Sequence, residues 1–145
     1  MTDGFENVLA LLLFNNTGIA NIGDATGLPA SAAAGSTQLA LATVAYTDGD
    51  TLLTADEVAY TGYVRPTQAR SSAGWTVASD TVSNAALIRF GEMAAGGPDT
   101  VVHVGLGFIA TGDVLRLHQD LTADLVINNG VNPQFAIGAL DWVFA

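Results

Sequence analysis

Two histidines and one nearby aspartate are the residues of this chain that could begin a catalytic site. His103 and His118 are its only imidazoles, and Asp120 follows His118 by two positions. A histidine held by a carboxylate can act as a general base toward a nucleophile. The chain has no cysteine and no Gly-x-Ser-x-Gly motif, and no nucleophile neighbours either histidine in the sequence. We therefore favour hydrogen-bonded histidines in a sheet over a hydrolase, and expect no enzymatic activity, catalytic residue or cofactor.

Four carboxylates lie close together in a second segment, TDGDTLLTADE. Asp48, Asp50, Asp56 and Glu57 surround a turn, and spaced oxygen ligands of this kind can hold Ca²⁺. The third ligand position and the glycine do not fit an EF-hand. The pattern favours a solvated acidic loop without a metal, and calcium binding at residues 48–57 stays an open alternative.

Residues 60–90 contain three of the four basic residues of the protein. Arg65, Arg70 and Arg89 stand among carboxylates that outnumber them throughout the chain, so we expect them to form ion pairs across strands or across subunits.

Aromatic residues lie in the same segment. Exposed Tyr60, Tyr63 and Trp75 could stack on sugar rings, but such residues more often belong to a core or to a strand pair. Gly105 and Gly107 form a Gly-x-Gly without a phosphate-loop continuation, and we interpret them as strand glycines that let another backbone approach.

The composition limits the class of function. The chain has 145 residues, 50% hydrophobic and only 12% charged, with 14 acidic residues against 4 basic ones and a net charge of −10. This charge argues against binding to nucleic acid or to an anionic membrane. A surface so poor in charge suggests contact with other protein. The length suits one domain, 1–145, with a core of its own.

The N-terminal segment has the spacing of a short helix over residues 2–14. Thr2 or Asp3 can cap its start, and the acidic first turn suits the helix dipole. The apolar run at residues 8–14 is far shorter than the roughly 20 residues of a membrane span, and it lacks the basic start of a signal peptide. One apolar face is our candidate partner contact: Phe5, Val8, Leu9 and Leu12.

The rest of the chain predicts an all-β fold. Residues 15–37 are rich in Gly, Ala and Ser and form a surface loop or an arm that orders against a neighbouring subunit. Short alternating runs with Gly, Asn and Asp turns then favour a single β-sandwich of jelly-roll type. We predict strands at residues 38–46, 58–70, 75–78, 85–90, 100–109, 114–119, 125–128, 134–137 and 140–144.

These runs resemble small virion proteins that are encoded in the structural gene clusters of tailed bacteriophages. The N-terminal helix fits that family, and the segments that carry the likeness are residues 62–65 (GYVR), Trp75, residues 83–90 (SNAALIRF), 100–108 (TVVHVGLGF), 114–122 and 129–140. Residues 15–37 are longer and blander than in the family pattern, and the chain ends on Trp-Val-Phe-Ala where the family often has a Thr-rich strand.

The resemblance implies a non-enzymatic virion structural protein, since family members carry labels such as tail-fibre-like, minor tail or capsid-decoration protein. Our leading hypothesis is a decoration or cement protein that binds the major capsid shell as a homo-oligomer. The alternative is a tail-associated fibre or a module that binds a host receptor. We expect a virion location, on the capsid surface rather than the tail, after synthesis in the bacterial cytoplasm.

Overall fold

The computed structural model describes residues 1–144 and confirms the all-β class, with one short N-terminal helix. The sheets are antiparallel. The elements in chain order are α1 (Asp3–Asn15), β1 (Ser36–Ala42), β2 (Thr67–Ala69), β3 (Trp75–Ala78), β4 (Thr81–Asn84), β5 (Ile88–Arg89), β6 (Asp99–Phe108), a 3₁₀ turn (Ile109–Thr111), β7 (Leu117–Ile127), β8 (Gln134–Phe135) and β9 (Asp141–Val143).

The chain groups into two compact units. The first unit comprises Met1–Ser36, Gln68–Leu87 and Phe135–Ala145, and the second comprises Thr37–Thr67 and Ile88–Gln134. Each unit is therefore built from segments that are distant in sequence. The expectation of a single domain stays a prediction.

In the first unit, the helix α1 packs against β3 and β4. Its buried side chains are Glu6, Ala10 and Phe14, which recur every four residues and so share one face. The ring of Phe14 meets the ring of Trp75 edge-on, with centroids 5.0 Å apart. The helix ends at Asn16, whose left-handed conformation (φ 53°) is a common way to close a helix.

The sheet of the first unit places β4 between β3 and β9. Trp75 pairs with Asn84, and Val82 pairs with Trp142. All four side chains are buried, so the small sheet supplies the core under the helix. The strand predicted at residues 75–78 is confirmed as β3, whereas β4 at residues 81–84 was missed because its sequence, TVSN, is typical of a turn.

The glycine-rich segment at residues 15–37 has a hydrogen-bonded structure within the first unit. Ile19 and Leu28 exchange two backbone hydrogen bonds of 2.8 Å, and the side chain of Asn16 bonds the backbone of Ser31 in both directions. Gly27 (φ +67°) permits this closure, since a Cβ there would lie 1.9 Å from the Ile19 carbonyl oxygen. The segment is a closed loop held by its own backbone.

In the second unit, β6 lies between β1 and β7. Leu39 pairs with Leu106 and Leu41 with Val104, and all four side chains are fully buried. The strong strand predicted at residues 100–109 is thereby confirmed as β6.

The two glycines of β6 admit close neighbours, as their spacing suggested. A Cβ on Gly107 would lie 2.5 Å from the carbonyl oxygen of Val114, so another backbone does approach there. At Gly105 the neighbours are side chains instead, with ring and methyl carbons of Tyr46, Leu53 and Leu115 within 2.9 Å of a built Cβ.

The strand predicted at residues 58–70 is wrong over most of its length, because only β2 is a regular strand there. Residues 60–66 instead run beside residues 90–95, held by a Thr61–Ala95 bridge and by Val64 N–H donating to Phe90 O. Two glycines with positive φ, Gly62 (+101°) and Gly91 (+86°), break the regular pleat where these segments touch.

The predictions at residues 114–119 and 125–128 are corrected in a different way, since β7 is one strand of 11 residues. Asp120 pairs with His103 and Leu125 with Val101, so four residues of β7, 121–124, face only Val102 of β6. This register shift is an enlarged β-bulge, in which four residues rather than the usual two oppose a single residue of the neighbouring strand. The gap between the two predicted strands, residues 120–124, thus corresponds to a bulge inside one strand. The remaining predicted strands are shortened: β1 ends at Ala42, β5 and β8 have two residues each, and β9 has three.

Candidate functional site

The second unit brings the two histidines together between two carboxylates. His103 comes from β6, His118 and Asp120 come from β7, and Asp48 belongs to the loop after β1. Nε2 of His103 lies 3.1 Å from Nδ1 of His118. The outer nitrogens face carboxylates: His103 Nδ1 is 2.9 Å from Asp120 Oδ1, and His118 Nε2 is 3.6 Å from Asp48 Oδ1. The order Asp120, His103, His118, Asp48 forms a continuous polar chain, which we call the di-histidine chain.

The two rings differ in exposure. The His103 side chain is 5% exposed and that of His118 is 27% exposed. Burial lowers the pKa of His103, and the charge of Asp120 opposes this shift in part. Although Asp120 is close, the His103 Nδ1 makes no well-aligned hydrogen bond within residues 1–144. Asp120 is 82% exposed, so small rotations of its side chain can improve that alignment.

Tyr46 packs beside the di-histidine chain. Its ring meets the His103 ring edge-on at 5.7 Å and lies 6.2 Å from the His118 ring. Its hydroxyl donates a hydrogen bond to the backbone carbonyl of Leu53 at 2.7 Å. This bond holds the Tyr46 ring in place beside the two histidines. Burial, followed by the charge of Glu57, raises the pKa of Tyr46 well above its usual range. The Tyr46 side chain therefore borders the two histidines in its uncharged form.

The predicted pairing of His118 with Asp120 is replaced by a pairing of His103 with Asp120. Among residues 1–144, the close polar partners of the two rings are each other and the carboxylates of Asp48 and Asp120.

The carboxylates of the acidic segment at residues 48–57 do not converge on one point. Asp50 accepts hydrogen bonds from the backbone N–H and the hydroxyl of Thr47, and the backbone bond holds the pKa of Asp50 below its usual value. Glu57 turns away to Arg65. Within the described part of the chain, no three His, Cys, Asp or Glu side chains converge as a metal site would require. Calcium binding at 48–57 stays untested.

Arg65 forms a charged cluster in the second unit. Its Nε and Nη2 donate to the two oxygens of Glu57 at 2.6 and 2.5 Å, and its Nη1 contacts Asp113. The hydroxyl of Tyr63 also donates to Glu57, at 2.7 Å, and accepts from the Leu41 N–H. The bond to Glu57 raises the pKa of Arg65 further, and burial raises that of Tyr63. The two-pronged contact with Glu57 is the geometry that arginine favours with carboxylates.

The other two predicted ion-pair residues make contacts of a different kind. In the first unit, Arg70 donates to the carbonyls of Leu12, Leu13 and Ala34, and it thereby binds the C-terminal turn of α1. Arginine often bonds the last carbonyls of a helix in this manner. In the second unit, Nε of Arg89 donates to the side-chain oxygen of Gln134 at 3.1 Å.

Two of the aromatic residues considered for sugar stacking are buried. Trp75 is fully buried and Tyr60 is 4% exposed, so the stacking hypothesis is wrong for these two core residues. Tyr63 is half-buried and stacks in parallel with Phe90. The alternative of core or strand-pair residues fits better, and alternation alone could not show which strand face is covered.

The helix face proposed as a partner contact is partly accessible. Phe5 is 41% exposed, and Val8, Leu9 and Leu12 are half-buried. The fully buried face carries Glu6, Ala10 and Phe14 instead. The face of Phe5 is thus partly covered, and Phe5 is its exposed member.

Sequence reasoning missed the partners that complete these clusters. Asp113 reaches Arg65 across 48 positions, and Tyr46 meets His103 across 57 positions of the chain. No local motif marks such contacts, because they depend on which strands are neighbours. Only the odd presence of a histidine inside an apolar strand, VVHVG, hinted that His103 had a polar partner.

Antiparallel sheets with one short N-terminal helix define a β-rich protein. No curated protein matches the chain. Residues 21–143, however, match the family model described as Podophage GP4 fiber I protein gp80. The chain therefore belongs to this family of phage fibre proteins, and it is a bacteriophage structural protein associated with the virion. Within residues 1–144, no helix has the length and apolar character that crossing a membrane requires.

Proposed function

We propose that this protein is a structural subunit of a tail-associated fibre of the phage particle. The match to a fibre-protein family over residues 21–143 carries this proposal. That match favours the fibre alternative over the capsid-decoration hypothesis, which it does not support. The role is mechanical, since the polar clusters of the described chain tie strands and loops to one another.

The helix α1 is the attachment element in this proposal. It lies at Asp3–Asn15, outside the residues 21–143 that match the family model. Its outer face carries Phe5 with Val8, Leu9 and Leu12, and the helix has no basic residue. An apolar face on a short helix gains most from packing against other protein. Neighbouring virion subunits, including further copies of this chain, are the proposed partners.

Locating the protein in the particle tests the proposed function. Cryo-microscopy of intact virions, with antibody-gold labelling of the protein, should show it at the tail in a small number of copies. Hundreds of copies spread over the head would overturn the fibre proposal and restore the decoration hypothesis.

The attachment element is tested separately by substitution. Replacing Phe5 by Asp should reduce incorporation into virions at least tenfold while the purified protein stays folded, because Phe5 is exposed. The matched control is Val126→Asp, since Val126 is similarly exposed (51%) but lies on β7. Equal incorporation of Phe5→Asp and wild type would remove the helix from the proposal and leave the fibre assignment standing.

A further inference from the structure

One arginine of the second unit has no described partner. Arg65 and Arg89 each bond a side chain of that unit, whereas the side chain of Arg116 is exposed and makes no hydrogen bond or ion pair within residues 1–144. The protein has only four basic residues and a net charge of −10. A second acidic molecule is repelled by most of such a surface, so an unpaired cation is where it can approach most favourably.

Arg116 lies beside an exposed apolar pair. A bridge joins Leu52 and Val114, and the residues that follow them, Leu53 and Leu115, are buried in one core cluster. Because side chains alternate along an extended chain, Leu52, Val114 and Arg116 lie on the opposite, outer side. Leu52 is 47% exposed and Val114 is half-buried. Leu52, Val114 and Arg116 thus combine aliphatic surface with one cation, and we call them the Arg116 patch.

A surface of complementary character lies where residues 60–66 run beside residues 90–95 of the same unit. Val64 is 63% exposed. Glu92 is also exposed, and its carboxylate makes no hydrogen bond or ion pair in the described part of the chain. The two segments are in close backbone contact, since a Cβ on Gly62 would lie 2.1 Å from the Glu92 carbonyl oxygen. We call Val64 and Glu92 the Glu92 patch, which combines aliphatic surface with one unpaired anion.

Asp124 and Val126 on β7 form a second pair of this composition, but a less suitable one. Val126 is 51% exposed, less than Val64. Asp124 also belongs to the bulge of residues 121–124, which face a single residue of β6 and so lack regular strand pairing. A surface that is held in place before binding loses less entropy when it binds. The Glu92 patch is therefore the better partner for the Arg116 patch.

We infer that copies of this chain associate head to tail, with the Arg116 patch of one copy bound to the Glu92 patch of the next. Arg116 forms an ion pair with Glu92 of the partner subunit, while Leu52 and Val114 pack against the partner's Val64. Because the two patches consist of different residues, the contact is heterologous, and its repetition builds a ring or a filament. The inference rests on the proposed function, since it supplies a contact by which fibre subunits repeat.

Analytical ultracentrifugation of the purified full chain tests this contact. The wild type should associate reversibly as its concentration rises to roughly 1 mM, since a small interface binds weakly. Arg116→Glu and Glu92→Arg should each lower the association constant at least about tenfold, because each change sets like charges opposite each other. The double variant should regain most of the loss, since its swapped charges attract again. Arg89→Glu is the matched control, an exposed arginine of the same unit, and should leave association unchanged.

A second charge swap checks which patch receives Arg116. Asp124→Arg in the Arg116→Glu background should not restore association. Restoration by Asp124→Arg instead of Glu92→Arg, an Arg116→Glu variant that associates like the wild type, or a wild-type chain that stays monomeric throughout would overturn the inference. The place of the protein in the particle is measured independently by microscopy. A tail location together with a monomeric chain would therefore reject this contact and leave the fibre assignment standing.

Discussion

Charge in this protein is scarce, and Arg65 and Arg70 are each held by several partners at once. Arg65 has two carboxylates and, through Glu57, the hydroxyl of Tyr63. Only 18% of the Arg65 side chain is exposed, and its removal would leave the poorly hydrated Glu57 with one of its three described donors, the Tyr63 hydroxyl. Single charged residues can therefore matter more here than on an ordinary surface.

Replacing Arg65 by Met should lower the free energy of unfolding by about 2 kcal/mol, because a part-buried Glu57 loses a two-pronged partner. Arg65→Lys should recover less than half of this loss, since an ammonium cannot make both bonds in one plane. Urea unfolding measures both variants. Arg89→Met is the control, since its described bond is to an uncharged side chain in an exposed position, and it should cost less than about 0.5 kcal/mol. Equal losses at Arg65 and Arg89 would contradict the special role of the Glu57 cluster.

The three tyrosines make a second prediction at the same scale. Burial raises the pKa of Tyr60 to about 12 and raises those of Tyr46 and Tyr63 further. An unfolded tyrosine ionises near pH 10, so the unfolded state releases protons first and stability is lost as the pH rises from 10 toward 12. Absorbance at 295 nm should therefore stay flat through pH 10 and then rise together with loss of the near-ultraviolet circular dichroism. Ionisation of one tyrosine near pH 10 with the fold intact would show that at least one ring is accessible.

Among the elements, the contact between residues 60–66 and 90–95 depends on two glycines that face each other. A Cβ on Gly62 would lie 2.1 Å from the carbonyl oxygen of Glu92, and a Cβ on Gly91 would lie 2.1 Å from that of Gly62. Both residues also have positive φ. The two segments cannot move apart without losing the Thr61–Ala95 bridge beside these glycines.

Gly62→Ala and Gly91→Ala should each destabilise the protein by about 3 kcal/mol or more, through backbone strain together with a steric clash. Gly130→Ala separates the two effects, since Gly130 has a similar φ of +83° and open space around it. That variant should cost only about 1 kcal/mol, the strain alone. Thermal unfolding of the three variants gives the comparison. A loss at Gly91 no larger than at Gly130 would mean that the two segments separate easily.

Elements with a clear local signature were predicted well. The helix, β3 and β6 follow from apolar spacing and from β-branched runs, which act within a few residues. The strand predicted at residues 58–70 was wrong because Gly62 has a positive φ, a conformation that depends on its contact with residues 91–94. The arrangement of the di-histidine chain was not predicted for the same reason. The strand register that pairs His103 with Asp120 is interrupted next to it by the bulge opposite Val102, and the composition does not indicate a bulge.

The whole molecule carries a net charge of −10, and its few cations are largely engaged within their own units. The remaining carboxylates, Asp48 and Asp120 among them, lie on the surface and repel one another. Salt screens such exposed charges, with a Debye length of about 10 Å at 0.1 M, and screens partly buried pairs less.

Raising sodium chloride from about 10 mM to 0.3 M should therefore raise the midpoint of thermal unfolding by roughly 2–5 °C. Scanning calorimetry on the purified chain measures the shift. Potassium chloride at the same ionic strength should give the same shift, because screening does not distinguish the two cations. A lower midpoint in salt would mean that the internal ion pairs outweigh the surface repulsion.

The bulge in β7 has a consequence for how such a subunit behaves in a crowded particle. β7 is an outer strand of its sheet, and an uninterrupted outer strand of 11 residues would offer a template for another chain. Residues 121–124 break that edge into two short pieces and carry Asp124. An added strand could therefore pair with β7 along only part of its length, which protects this edge from the strand-to-strand addition that builds amyloid-like ribbons.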